Sequence, residues 1–181
     1  GTTTTYNYDN AYQLQSVTDS NGVLISNIDY APTGAVTRMD NGNTTSTTNT
    51  YDINKLYRLT AKLTTSASAT HQNLSYTYDA VGNMTTIRDD AQQTYYFNNA
   101  VVKPESNYEY DALYQLVRAT GREHAGGSND TQRTHADLEF MPQLPHPNNA
   151  AAVRTYTEEY EYDPLGNIKI MRHHYAGPGG A

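Results

Sequence analysis

The carboxylates that recur through this chain are the first candidates for chemistry. Asp9, Asp52, Asp79, Asp111 and Asp163 each follow a tyrosine: Tyr8, Tyr51, Tyr78, Tyr110 and Tyr162. Repeated carboxylates can act as general acids and bases, or as oxygen ligands for calcium, when several converge on one point. Here each stands in the same register ahead of a turn, one per turn. Capping of backbone N–H groups accounts for all five together. A second cluster, Gly121-Arg122-Glu123-His124, gathers base, acid and imidazole. Successive side chains of an extended segment point to opposite faces, so Arg122 and His124 share a face and Glu123 does not. A structural ion pair fits that spacing better than catalysis. His173-His174 fails as a metal site for the same reason, and with no cysteine the chain lacks a thiol ligand or nucleophile. No serine lies in a nucleophile elbow and there is no phosphate loop. The reading is therefore no catalytic residue, no metal, no cofactor and no enzyme within this sequence.

The tyrosines are the other candidates. There are 17, with no tryptophan and only 2 phenylalanines. A ladder of rings on a sheet can stack on sugars, which would make the chain a glycan-binding repeat module of a surface or secreted protein. Cross-strand aromatic packing explains the same ladder, and the lack of tryptophan weakens the sugar reading.

Both sets of residues need the same element to position them. Tyr160-Glu161-Tyr162-Asp163-Pro164-Leu165-Gly166-Asn167-Ile168-Lys169-Ile170 reads as strand, tight turn and strand: tyrosines at i and i+2 share a face, and Asp-Pro-Leu-Gly suits a type I turn. The unit recurs. Tyr-Asp pairs or their remnants begin at Tyr8, Tyr30, Tyr51, Tyr78, Tyr110 and Tyr162, with gaps of 22, 21, 27, 32 and 52 residues. Two subtypes alternate. Tyr30, Tyr78 and Tyr162 precede Gly34, Gly82 and Gly166, whose freedom at positive φ suits a five-residue loop with a bulge. Asn83 and Asn167 follow two of these glycines. Tyr8 and Tyr110 lead into Tyr12-Gln13-Leu14 and Tyr114-Gln115-Leu116, with tyrosine at the glycine position. A bulky residue at positive φ is costly, so these turns are expected to take a different backbone. The Tyr51 turn carries two extra residues before Leu59, and the Ala31 turn lacks the aspartate.

The expected fold is all-β: a strip of consecutive antiparallel hairpins in one repeat region over residues 1–181. Residues 1–75 hold the early repeats, 125–154 a long loop excursion containing Pro142, Pro145 and Pro147, and 176–181 a flexible tail. Thr94 to Phe97 reads as an additional strand. An open strip has edges that need cover, so the chain is expected to belong to something larger and to self-associate when its neighbours are missing. A net charge of −7, from 19 acidic and 12 basic residues, argues against nucleic acid or an anionic membrane as a partner. No apolar run is long enough to span a membrane, and no signal peptide is apparent at Gly1.

Tyr-Asp repeats with Gly-Asn or Tyr-x-Leu after the turn resemble the RHS/YD-repeat family. Within it, Tyr78 to Asp89, Val101-Val102-Lys103-Pro104-Glu105 and Tyr108 to His124 are similar to the C component, or fused B/C shell, of bacterial insecticidal toxin complexes. The subfamily match covers residues 76–124 and 155–175. The resemblance implies a spiral strip of hairpins closing as a hollow β-shell around a C-terminal toxin released by autoproteolysis. It implies as partners the rest of the shell, including a B-like component, and the enclosed cargo. It also implies a secreted or extracellular location. The family's aspartate protease motif lies downstream of these repeats: Asp163-Pro164-Leu165-Gly166-Asn167 has ordinary repeat spacing and reads as a turn.

Overall fold

Thr, Tyr and Val favour extended backbone, Asp, Asn and Gly favour turns, and the chain alternates between the two groups at short intervals. The structure, a computed structural model, describes residues 1–125 and 148–175. These residues form fourteen β-strands and no helix, so none is long and apolar enough to cross a membrane. They fall into two compact units.

The first unit comprises Gly1–Tyr76 with Asp89–Ala91. Its strands are β1 (Thr4–Tyr8), β2 (Leu14–Asp19), β3 (Gly22–Tyr30), β4 (Val36–Asn41), β5 (Ser46–Asp52), β6 (Arg58–Thr65) and most of β7 (Thr70–Tyr78). Each pairs antiparallel with the next in sequence order. The layer is thin: Val17 and Ile28 are its only buried apolar side chains.

The second unit comprises Thr77–Arg88 and the described residues from Gln92 onward. It contains β8 (Met84–Asp89), β11 (Glu105–Tyr110), β12 (Leu116–His124), β13 (Val153–Tyr162) and β14 (Ile168–Tyr175), hydrogen-bonded in that order. A separate hairpin, β9 (Tyr95–Phe97) and β10 (Ala100–Val102), turns through Asn98 and Asn99 at φ 48° and 63°. It lies against β13, adding a second layer. Val102 is 1% exposed in consequence, and Ala119 and Ala152 are buried. The expected excursion over 125–154 is trimmed at both ends: Ala125 N–H donates to the Ala152 carbonyl at 2.7 Å, and β13 already begins at Val153. Residues 126–147 and the 176–181 tail lie outside the described residues.

One expectation is overturned. The turns that carry tyrosine in place of glycine do not take a different backbone. Tyr12 and Tyr114 sit at φ 60° and 63°, in the region occupied by Gly34 at 83° and Gly166 at 86°. The hydrogen bonds match as well: Asp9 N–H donates to Gln13 O and Tyr12 N–H to Asp9 O, just as Asp163 N–H donates to Asn167 O and Gly166 N–H to Asp163 O. The left-handed conformation costs an L-residue about 1–2 kcal/mol. Two backbone bonds and two bonds to the aspartate offset it, at about 1 kcal/mol each. Thr44, at φ 66°, closes the Asn41 turn in the same way. There Gly42 serves close approach: a Cβ would lie 1.6 Å from the Val23 carbonyl oxygen.

Candidate functional site

The repeat builds two structures, a turn and a junction. In the turn, the aspartate accepts backbone N–H bonds through one oxygen. Asp9 Oδ1 takes Ala11 and Gln13, Asp111 Oδ1 takes Leu113 and Gln115, and Asp163 Oδ1 takes Leu165 and Asn167, all at 2.8–2.9 Å. Asp79 takes Val81, Gly82 and Asn83. The second oxygens of Asp79 and Asp163 accept the amides of Asn83 and Asn167. For Asp163, the Asn167 side chain leads in holding the carboxyl below the usual range. For Asp79, desolvation pushes the carboxyl up, but the bonds from Asn83, Gly82 and Val81 together outweigh it. Asp52 accepts Asn54 N–H, in a wider turn with Leu56 and Tyr57 at positive φ. Ala31 occupies the position without a carboxylate, and its turn keeps both backbone bonds.

In the junction, the strand bulges immediately before five of the six repeat tyrosines, between Asn7 and Tyr8, Asp29 and Tyr30, Thr50 and Tyr51, Glu109 and Tyr110, and Glu161 and Tyr162. A bulge re-aims the side chain that follows it. Four of these rings consequently reach back to the preceding hairpin. Tyr30 Oη–H donates to the Leu14 carbonyl at 2.7 Å, and Tyr51 to Val36 at 2.9 Å. Tyr110 donates to Met84 at 3.0 Å, and Tyr162 to Leu116 at 2.7 Å. Each acceptor is the first residue after the preceding turn. In the paired ladders, Leu14 lies opposite Tyr8, Val36 opposite Tyr30 and Leu116 opposite Tyr110. The hydroxyl thus ties successive hairpins together at a constant offset. The alternation of subtypes has a steric counterpart. The Gln13 amide reaches over Gly34, and the Gln115 amide over Gly166, lying 3.9 and 3.3 Å from where a Cβ would stand.

The second unit holds a further polar network. Glu123 on β12 pairs with Arg154 on β13 at 2.7 Å, with the two side chains 17% and 14% exposed. Glu123 also faces His173 Nε2 at 3.1 Å, and Glu158 faces His173 Nδ1 at 3.3 Å. Tyr160 Oη–H donates to Glu158. Arg154 lies over the Tyr175 ring at 3.4 Å, and Tyr156 stacks on His173 with centroids 5.1 Å apart. Tyr156 passes so close above Gly121 that a Cβ there would lie 2.6 Å from its hydroxyl. Burial, then Glu158, pushes the Tyr160 phenol up to about 12. Both imidazole nitrogens of His173 thus face carboxylates, and the Tyr160 hydroxyl is engaged by Glu158, so these side chains are tied to one another.

Glu123 takes the face expected of it, apart from Arg122, which donates to the Gln93 carbonyl and stacks over Tyr95, and from His124, which meets the Asn149 carbonyl. His173 and His174 diverge, His174 facing Glu159 at 3.8 Å. His135 and His146 lie outside the described residues. Among the described residues no three His, Asp or Glu side chains form a metal cluster. Arg154, Glu158 and Tyr160 were missed. The alternation Tyr156, Glu158, Tyr160 along β13 was the signal that placed them on one face. A half-open polar cleft of about 210 Å³ lies nearby, lined by Lys103, Glu105, Asn107, Thr120 and Thr155.

A run of Tyr-Asp hairpins locked by tyrosine hydroxyls defines the class: the chain is an RHS/YD-type repeat similar to C-type subunits of bacterial toxin complexes. It is 36% identical over 156 residues to toxin subunit YenC2 of Yersinia entomophaga and 35% identical over 158 residues to YenC1. Both matches cover 83% of this chain, which spans only 16% and 15% of those relatives. A crystal structure of TcdB2–TccC3–TEV superposes on 97% of the chain with a TM-score of 0.77 at 33% identity, the match spanning 8% of that structure's chain. A Photorhabdus luminescens Tc holotoxin pore gives a TM-score of 0.76 at 34% identity over 99% of the chain, again 8% of its own. No protein-family model matches.

Proposed function

We propose that this chain is a non-enzymatic wall segment of the shell formed by a toxin-complex C-type subunit. The shell encloses a toxic C-terminal polypeptide for delivery outside the producing cell. Its partners are the adjoining repeats, a B-type subunit and the cargo. The observation that carries the reading is the constant offset of the tyrosine tie, from each hydroxyl to the first carbonyl of the preceding hairpin. A connection that maps each hairpin onto the next can be repeated without limit, as a large wall requires. The repeat residues Tyr8, Asp9, Tyr30, Gly34, Tyr51, Asp52, Tyr78, Asp79, Gly82, Asn83, Tyr110, Asp111, Tyr162, Asp163, Gly166 and Asn167 are on this reading turn and junction residues.

The test is protease protection. The subunit containing this segment is expressed with its B-type partner and digested with and without prior denaturation. The polypeptide downstream of the repeats is expected to survive digestion only in the native complex. Equal digestion in both states, or failure of the partner to co-purify, would sink the reading.

A further inference from the structure

We propose that Asn21-Gly22, in the turn between β2 and β3, is a site of spontaneous deamidation whose co-reactant is water, and that Asp19 restrains it. Asn41-Gly42, the chain's other Asn-Gly pair, is held unreactive by its surroundings. Both pairs lie in the first unit, and their chemistry does not depend on what the shell encloses.

Asparagine is among the thermolabile residues, and a glycine after it leaves the next backbone nitrogen unhindered by a side chain. In the reaction that nitrogen loses its proton and bonds to the asparagine Cγ. The Cγ–Nδ2 bond breaks and ammonia leaves with the proton, so a cyclic imide closes. Water then opens the ring at either carbonyl, giving aspartate or isoaspartate. The step needs no enzyme, no oxidant and no docking surface. It needs a glycine N–H that can be freed, and a backbone with room to fold onto the side chain.

The two pairs differ in both respects. Gly42 N–H donates to the Leu24 carbonyl of β3 at 2.9 Å. The Asn41 amide donates to Thr45 Oγ1 at 3.1 Å. The turn is closed by Asn41 N–H to Thr45 O at 2.8 Å and Thr44 N–H to Asn41 O at 3.1 Å. Gly42 also lies so near the β3 backbone that a Cβ would stand 1.6 Å from the Val23 carbonyl oxygen. Ring closure there has to pull the turn off β3 first. At the other pair, Gly22 N–H and Asn21 N–H share Asp19 Oδ1, at 3.0 and 2.7 Å. The Asn21 amide is 3.4 Å from Asp19 Oδ2, long for a hydrogen bond. Apart from its chain neighbours, nothing lies within 4 Å of where a Gly22 Cβ would stand. The restraint at this pair is a carboxylate, whose charge opposes loss of the Gly22 proton beside it.

The products act on the fold. Either one puts a second carboxylate beside Asp19, and isoaspartate adds a carbon to the main chain of a tight loop. The β2–β3 ladder starts with Asp19 opposite Gly22 and carries Val17, 6% exposed, opposite Ile25. Modification therefore loosens a strand pair that buries one of the first unit's two apolar core residues.

The protein is incubated in mildly alkaline buffer, native and in urea, and its tryptic peptides are mapped by mass spectrometry with separation of isoaspartyl isomers. Cleavage after Arg38 puts the two pairs on different peptides. In the native protein Asn21 is expected to convert at least about tenfold faster than Asn41, which has to lose several bonds first. In urea the two rates are expected to converge. Asp19→Ala is expected to raise the native Asn21 rate about three- to tenfold and to leave Asn41, the internal reference, unchanged. Equal native rates, or Asn41 reacting first, would overturn the assignment. So would a ratio that persists in urea, because flanking sequence rather than the fold would then set it. An Asn21 rate unmoved by Asp19→Ala, or both rates raised together, would overturn the role of Asp19.

Discussion

The two units use the same hairpin and support it differently. In the first, ties from Tyr30 and Tyr51 join hairpins whose buried apolar side chains are Val17 and Ile28. Two of its ion pairs, Arg38–Asp40 and Lys55–Asp52, are partly to largely exposed, and exposed pairs contribute little. The second unit has the equivalent ties from Tyr110 and Tyr162, and adds the β9–β10 layer and the Glu123–Arg154–His173 network. Tie and turn are thus the common unit of construction, and second-layer packing is a local addition. Amide hydrogen exchange resolves the units separately, because it reports opening strand by strand.

The largest expected effect lies in the addition. Arg154→Ala leaves Glu123, three-quarters or more buried, without its nearest cation. Truncating one partner of a buried pair costs roughly 3–5 kcal/mol, and remaining solvent contact lowers this to about 2–3 kcal/mol. Exchange should accelerate across β12 to β14 and stay unchanged in β1 to β6. Equal acceleration in both units would mean that the addition supports more than its own unit.

Gly121→Ala tests the same region by crowding. Its Cβ would meet the Tyr156 ring, which stacks on His173. Overpacking of this kind costs about 1–3 kcal/mol. Urea unfolding should show most of that loss, and Tyr156→Ala in the same chain should recover part of it by making room. Additive losses would show that the ring does not touch the new methyl group.

The ties should behave alike in both units. Tyr30→Phe and Tyr162→Phe each remove one hydroxyl from a half-buried carbonyl and should cost about 1 kcal/mol. A loss several times larger in one unit would break the equivalence on which the repeat argument depends.

Acid should separate the units by mechanism. Asp40 is held low first by its bond to the Arg38 guanidinium, and Asp163 by Asn167. A lowered carboxyl stabilises the fold above the unfolded value of about 3.9 and ceases to do so as pH falls through its folded value. Both units should therefore weaken below about pH 4. High salt should blunt the Asp40 contribution, which rests on an exposed charge pair, and leave the neutral-donor bonds of Asp163 intact. Asp163→Asn should flatten the acid limb in the second unit alone.

The extent to which these features could be read from sequence follows from the distance they span. The hairpin frame was legible because its signals are local: tyrosine two residues before tyrosine, aspartate before the turn, glycine three residues on. The ties were not, because the acceptor of Tyr162 is Leu116, 46 residues earlier. Finding it requires the register of both strands and the bulge that turns the ring. The pairing of Glu123 with Arg154, 31 residues apart, was hidden in the same way, although its face was predictable. Tyr12 and Tyr114 were misread for the opposite reason. The local penalty was judged correctly, but the four bonds that oppose it belong to the whole turn.

That misreading gives the smallest and most specific prediction. Tyr114→Gly removes a left-handed residue costing about 1–2 kcal/mol, and introduces a glycine whose greater freedom when unfolded costs about 0.5–1 kcal/mol. The side chain is largely exposed and loses little packing. The variant should therefore be more stable by roughly 0.5 kcal/mol, a modest rise in thermal midpoint. Gly166→Ala should move the other way. It adds a side chain at φ 86° and brings the new methyl against the Gln115 amide. If Tyr114→Gly instead destabilises the chain, the tyrosine does more at that turn than occupy a strained position. The alternation of tyrosine and glycine turns would then be selected for contacts along the row of turns rather than tolerated by them.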